Sequence, residues 1–125
     1  LSEAYSMPTN TDEEKREKER VMEAALKRAG GVPMEIMRKC REAIKLHEEL
    51  ADKGTAIAIS DVGVGAQFCM AAMTGAYLTV FINTKAMHDR DYAKKLETEA
   101  EELHRECGRR TNEILARVIS RIKGG

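Results

Sequence analysis

Two features that commonly reveal a protein's ligand are missing from this sequence: an excess of charge of one sign and closely spaced pairs of cysteines. The 21 Lys and Arg residues balance the 21 Asp and Glu residues, so the chain lacks the basic surface that binds duplex nucleic acid. Cys40, Cys69 and Cys107 are widely separated and odd in number, which argues against a disulfide framework and against a zinc site. We therefore expect no nucleic-acid partner, no metal and a reducing, cytoplasmic compartment.

Signals for membrane insertion and for metal binding by histidine are also weak. No basic segment leading into an apolar run begins the chain, so no targeting peptide is indicated. One long apolar run does occur, but Asp61, Gln67 and Thr74 interrupt it, and we interpret it as part of a soluble protein without a membrane partner. None of the three histidines has a second histidine four residues away, as a helical metal site would require.

The spacing of apolar residues predicts an all-α protein. Thr11 and Glu14 form a capping-box pattern at the start of an amphipathic helix over about residues 12–29. Gly30-Gly31-Val32-Pro33 either separates that helix from a second one, in which Pro33 occupies the first turn, or kinks a single long helix. A last amphipathic helix is predicted from about His88 to Lys123, and no segment has a secure strand pattern.

The most informative segment is the apolar run from Ile59 to Asn83. Asp61 is its only charged residue, although 34% of the chain is charged. A segment of this kind needs burial on more than one side, so we predict a helical bundle in which it is the central, almost wholly buried helix, with Ser60 as the N-cap. Because the other helices cannot cover all of it, the segment should pack against itself or against helices upstream of this sequence. We predict a homodimer with Val64, Phe68 and Ala72 in or near the contact.

Two polar residues at the ends of this run are candidates for function. Asp61 at the head of the helix is either a helix-capping charge or a functional carboxylate. Asn83 at the other end must be hydrogen-bonded if it is buried, and it does this either by capping the helix or by holding a ligand.

Several short segments, in this order and spacing, resemble the cyclodeaminase/cyclohydrolase family of folate enzymes. The resemblance extends over essentially all 125 residues. It is carried by these segments: Tyr5, Met7-Pro8, Thr11-Asp12-Glu13-Glu14-Lys15, Gly31-Val32-Pro33, Ile59-Ser60-Asp61 and Val80-Phe81-Ile82-Asn83.

The resemblance implies an all-helical, dimeric domain with a folate pocket near the subunit junction. It also implies either closure of 5-formiminotetrahydrofolate to 5,10-methenyltetrahydrofolate with loss of ammonia, or hydration of the methenyl compound to 10-formyltetrahydrofolate. Neither reaction needs a metal or a redox cofactor, since a tetrahydrofolate derivative is the substrate. In this family Asp61 would be catalytic, while Ser60 and Asn83 would bind the substrate.

Members of the family usually begin further upstream, with helices and a Gly-rich loop that this sequence does not contain. We therefore expect residues 1–125 to be the C-terminal portion of a single cyclodeaminase-like helical domain. The alternative is a non-catalytic helical dimerisation or scaffold module, in which the apolar helix forms the dimer core and Asp61 only caps it.

Overall fold

A computed structural model describes residues 1–53, 55 and 58–124 of the chain. It contains four helices: α1 (Ser2–Tyr5), α2 (Asp12–Lys53), α3 (Ile59–Lys85) and α4 (Arg90–Gly124). No strand occurs within those ranges, so the prediction of an all-α protein is confirmed. The sequence also predicts a short extended connector over residues 55–59, of which positions 56 and 57 lie outside the described residues.

Helix α2 is one uninterrupted helix. Its start is as predicted, because the Glu14 N–H donates to Thr11 Oγ1 at 3.1 Å. The helix continues through Gly30 and Pro33, so the prediction of a break there is wrong and the single-helix alternative holds. Both residues are buried, and a Cβ added to Gly30 would lie 3.2 Å from Met87 Cε. Tertiary packing at this point therefore outweighs the low helix propensity of Gly and Pro.

The three long helices share one core. Its largest fully buried side chains include Met34, Met37 and Ile44 of α2, with Met73 of α3 and Ile114 of α4. The sequence pattern places the core faces of α2 and α4 correctly at most positions. Apolar spacing also assigns four residues to those faces that are more than a third exposed: Ile36, Leu50, Tyr92 and Ile122.

Helix α3 is not the almost wholly buried helix that its composition predicted. It packs against both α2 and α4, yet Phe68 and Ile82 remain 72% and 71% exposed. Two neighbouring helices cover only part of a helix surface, so the remaining face is left to solvent in the single chain. By length and composition alone, α3 is also the one described helix that could cross a membrane.

The first turn of α4 is held by side chains from α2. The Glu23 carboxylate accepts the backbone N–H groups of His88 at 2.8 Å and Asp89 at 3.0 Å. Asp89 in turn caps α4 by accepting the Tyr92 N–H at 3.1 Å, and its second oxygen accepts a hydrogen bond from Lys27 Nζ at 2.8 Å. These bonds dock the α3–α4 connection onto α2.

This arrangement predicts acid sensitivity. Burial raises the pKa of Glu23, but the hydrogen bonds from the two backbone N–H groups and the nearby Lys27 charge lower it, and the net pKa lies below its ordinary value of 4.5. The hydrogen bond from Lys27 lowers the pKa of Asp89 below 3.8. A carboxyl group whose pKa is lowered by folding stabilises the protein above its unfolded pKa, and this stabilisation is lost as the pH falls through the folded value.

We expect Glu23→Gln to remove part of the acid-dependent loss. In urea unfolding at pH values between about 6 and 3, the midpoint should fall less steeply for this variant than for the unsubstituted chain. Glu19→Gln, an exposed position in the same helix, is the control and should retain the steep dependence. Identical pH profiles for all three proteins would show that Glu23 does not contribute to the loss of stability in acid.

Candidate functional site

Ser60 and Asp61 lie in the first turn of α3. The helix begins at Ile59, which is 1% exposed, and its N-cap position is Ala58. The Ala58 N–H is bonded to the Thr55 carbonyl oxygen at 3.1 Å. The prediction that Ser60 is the N-cap is therefore wrong, because burial of Ile59 starts the helix two residues earlier.

Asp61, the third residue of α3, is exposed. Within the described part of the chain, its carboxylate has no hydrogen-bond or ion-pair partner. A cap normally accepts a backbone N–H of the first turn, so no bond supports the capping interpretation, and only the favourable helix dipole remains. The carboxylate is free to face a ligand.

Asn83 lies at the other end of α3 and is buried, with 8% of its surface exposed. Its Nδ2 donates to the Thr79 carbonyl oxygen at 2.9 Å, and its Cβ lies near the α2 backbone at Gly30. At about 1.5 Å per helical residue, Asn83 is about 33 Å from Asp61. One chain therefore brings Ser60 and Asp61 together but does not bring Asn83 to them.

An open apolar groove begins within one helical turn of Asp61. It has a volume of about 490 Å³ and is lined by residues of α3 and one of α4: Gly63, Val64, Gln67, Phe68, Ala71 and Leu115. This volume is within the range of small-molecule sites. Gly63 lets α4 approach closely, because a Cβ there would lie 3.2 Å from Val118 Cγ1.

Gln67 and Leu115 line the groove but were not predicted from the sequence as site residues. Gln67 is the one polar side chain of the groove, and its position one turn from Val64 was a signal in the sequence. Leu115 lies in the second half of α4, far from α3 in sequence, so only the folded structure places it there.

As to a metal, no group of three His, Cys, Asp or Glu side chains within the described ranges is arranged to hold one.

The three cysteines differ in accessibility. Cys107 is fully buried, and burial raises the pKa of its thiol to about 11. Burial also raises the pKa of Cys40, with a smaller contribution from nearby Cys69. Cys69 is only partly buried.

We therefore expect Cys69 to react first with a thiol reagent at about pH 8, because the reactive species is the thiolate and access is required. Cys40 and Cys107 should react only at the rate of unfolding. Counting released chromophore from an aromatic disulfide reagent should show one fast thiol, which Cys69→Ser abolishes. Three thiols reacting at one rate in the folded chain would overturn this prediction.

Comparison with known proteins relates the chain to enzymes of folate metabolism. It is 40% identical over 119 residues to a methenyltetrahydrofolate cyclohydrolase of Methylorubrum extorquens, covering 95% of this chain and 57% of that protein. It is 31% identical over 123 residues to a formimidoyltransferase-cyclodeaminase of Gallus gallus, covering 98% of this chain and 20% of that protein. The corresponding Mus musculus protein is 31% identical over 93 residues, covering 74% of this chain and 17% of that protein.

The chain thus spans a little over half the length of the first of these relatives and about a fifth of the other two. The sequence profile of the formiminotransferase-cyclodeaminase family matches residues 1–102, which is most of the chain. The chain belongs to the formiminotransferase-cyclodeaminase family.

Proposed function

We propose that this chain acts in folate-dependent one-carbon chemistry at the 5,10-methenyltetrahydrofolate carbon, in a reducing, cytoplasmic setting. The observation that carries the proposal is the Asp61 carboxylate, which has no partner among the described residues and lies one turn from an apolar groove. The names of the relatives support the substrate class, since each refers either to methenyltetrahydrofolate or to cyclodeamination.

Two reactions fit this chemistry. In a cyclodeaminase, N10 of 5-formiminotetrahydrofolate attacks the formimino carbon, a new C–N bond forms, and ammonia leaves after protonation. In a cyclohydrolase, water adds to the cationic methenyl carbon, one C–N bond of the ring breaks, and a proton is released. Both reactions interconvert a cationic amidinium-like carbon and a tetrahedral adduct, so a fixed carboxylate stabilises the cation or transfers the proton.

The groove and the polar residues on the same helix suggest roles for the individual residues. The apolar walls formed by Val64, Phe68 and Leu115 suit the face of a pterin ring, and Gln67 offers an amide for hydrogen bonding. Asp61 is the proposed catalytic group, and Ser60 beside it the proposed substrate-binding hydroxyl. Asn83, also proposed to bind substrate, is too distant within one chain, so its role requires a second copy, and we propose that the protein acts as a homodimer.

A second candidate function is a non-catalytic dimerisation or scaffold module. The exposed apolar face of α3, including Phe68 and Ile82, favours it, because a face of this kind on a folded domain marks an interaction surface.

Absorbance of the methenyl chromophore separates the two candidates. The intact protein that contains this chain should either produce methenyltetrahydrofolate from formiminotetrahydrofolate or accelerate the hydrolysis of methenyltetrahydrofolate, and the direction distinguishes cyclodeaminase from cyclohydrolase. If a preparation shown to be folded by circular dichroism accelerates neither reaction, the enzymatic proposal is refuted and the scaffold function remains.

A further inference from the structure

The imidazole ring of His47, a half-buried residue of α2, lies against the backbone of α3 at Gly65. A Cβ added to Gly65 would collide with His47 Nε2 and would lie 3.0 Å from its Cδ2. The ring therefore occupies the space that any larger residue at position 65 would need. Glycine at this position is what allows the edge of the ring that carries Nε2 to reach the surface of α3.

A hydrogen bond determines which nitrogen of the His47 ring is free. Nδ1 lies 2.7 Å from the carbonyl oxygen of Ala43, one turn earlier in α2. A carbonyl oxygen only accepts hydrogen bonds, so Nδ1 carries the hydrogen and the lone pair of the neutral ring is on Nε2. Nε2 has no hydrogen-bond partner among the described residues. His47 thus presents an unpaired base at the surface of α3.

This base lies next to Asp61. Residues three and four positions apart are neighbours on the surface of a helix, so Val64 and Gly65 both adjoin Asp61 on the following turn. Phe68 adjoins Val64 and Gly65 in the same way. Val64 and Phe68 line the apolar groove, whereas Gly65 is covered by the His47 ring. A substrate atom held above these four positions therefore has a carboxylate on one side and an imidazole on another.

We propose that His47 is a catalytic proton-transfer residue of the Asp61 site, and that Gly65 is the position that admits its ring. The inference rests on the proposed function and assigns two roles to two groups. Asp61 stabilises the cationic carbon, and His47 Nε2 takes up and returns the proton. An imidazole suits the second role because it exchanges a proton near neutral pH, where a carboxylate normally stays charged.

One proton relay through Nε2 serves either reaction. In the hydrolysis, Nε2 removes a proton from water as the C–O bond forms and the electron pair of the C=N bond moves to nitrogen. The imidazolium then protonates N5 as the C–N5 bond breaks, and the hydroxyl proton of the adduct leaves to solvent as the formyl C=O bond forms. In the cyclodeamination, Nε2 takes the N10 proton as the C–N10 bond forms and gives it to the amine that leaves as ammonia. Each sequence returns His47 to its neutral form.

Removing the ring tests its role in the intact protein that contains this chain. His47→Ala should lower kcat by about a hundredfold, within the usual range for a general acid or base. Imidazole added to the buffer should restore part of the lost turnover, which it would not do if His47 were only a packing residue. His88→Ala is the control, because His88 is exposed beyond the opposite end of α3, and it should leave kcat unaltered.

Gly65→Ala tests the geometry without removing the imidazole. The added Cβ displaces the ring, so kcat should fall by about tenfold or more, since a small misplacement of a catalytic group is costly. In the His47→Ala background the same substitution should have little further effect, because the two changes act on one group. Gly75→Ala is the control within the same helix. Its Cβ would meet nothing within 4 Å, and kcat should not change.

Nitrogen NMR of His47 provides a measurement that does not need turnover. The neutral ring should show an unprotonated Nε2, and a ring with its hydrogen on Nε2 would overturn the proposal. So would full turnover by a folded His47→Ala variant, or a loss in Gly65→Ala that is just as large when His47 is absent. If the unsubstituted protein shows no turnover, the proposed function fails and the role of His47 fails with it. Turnover by the unsubstituted protein that is insensitive to His47→Ala refutes the inference alone.

Discussion

Asp61→Asn should reduce turnover by about a hundredfold or more, the usual scale for an acid–base or electrostatic group, and leave the melting temperature nearly unchanged. Asn has almost the same shape as Asp, and the Asp61 carboxylate has no hydrogen bond or ion pair to lose within the described residues. The melting temperature followed by circular dichroism, together with the methenyl absorbance assay, measures both quantities on one sample.

Asp91→Asn is the matched control for this experiment. Asp91 is also an exposed acidic residue in the first turn of a long helix, α4, so the same substitution changes the same kind of helix end. It should leave turnover unaltered. If Asp61→Asn folds and keeps the turnover of the unsubstituted chain, Asp61 is not catalytic and serves only the helix dipole.

Ile44→Ala should destabilise the fold by about 2–5 kcal/mol, the range for removing a buried Ile side chain from a packed core. Ile44 is 0% exposed and belongs to the core shared by α2, α3 and α4. A domain of this size has only about 5–15 kcal/mol of stability, so the loss is large, and urea denaturation would measure it directly.

Leu46→Ala is the control, because Leu46 lies two residues further along α2 and is 60% exposed. Exposed substitutions usually change the unfolding free energy by no more than about 0.5 kcal/mol. A comparable loss in both variants would mean that Leu46 is covered in solution and that this face of α2 belongs to an interface.

Local sequence patterns were enough to predict the helical class, because apolar spacing and capping residues act over a few positions. The Thr11 cap, the amphipathic stripe of Met37, Cys40 and Ile44, and the extent of α4 are local features of this kind. The short segments that resemble the folate enzymes were also sufficient to identify the family, which the match over residues 1–102 confirms.

Packing between the helices determined where these local tendencies were overridden. Packing of Gly30 and Pro33 keeps α2 continuous, and burial of Ile59 moves the start of α3 so that Ser60 is not its cap. Composition showed that α3 is apolar, but the positions of α2 and α4 determined which of its faces remained exposed. The position of α4 also brings Leu115 to the groove. Burial and contact between distant parts of a chain depend on how the helices pack, and short-range sequence patterns do not carry that information.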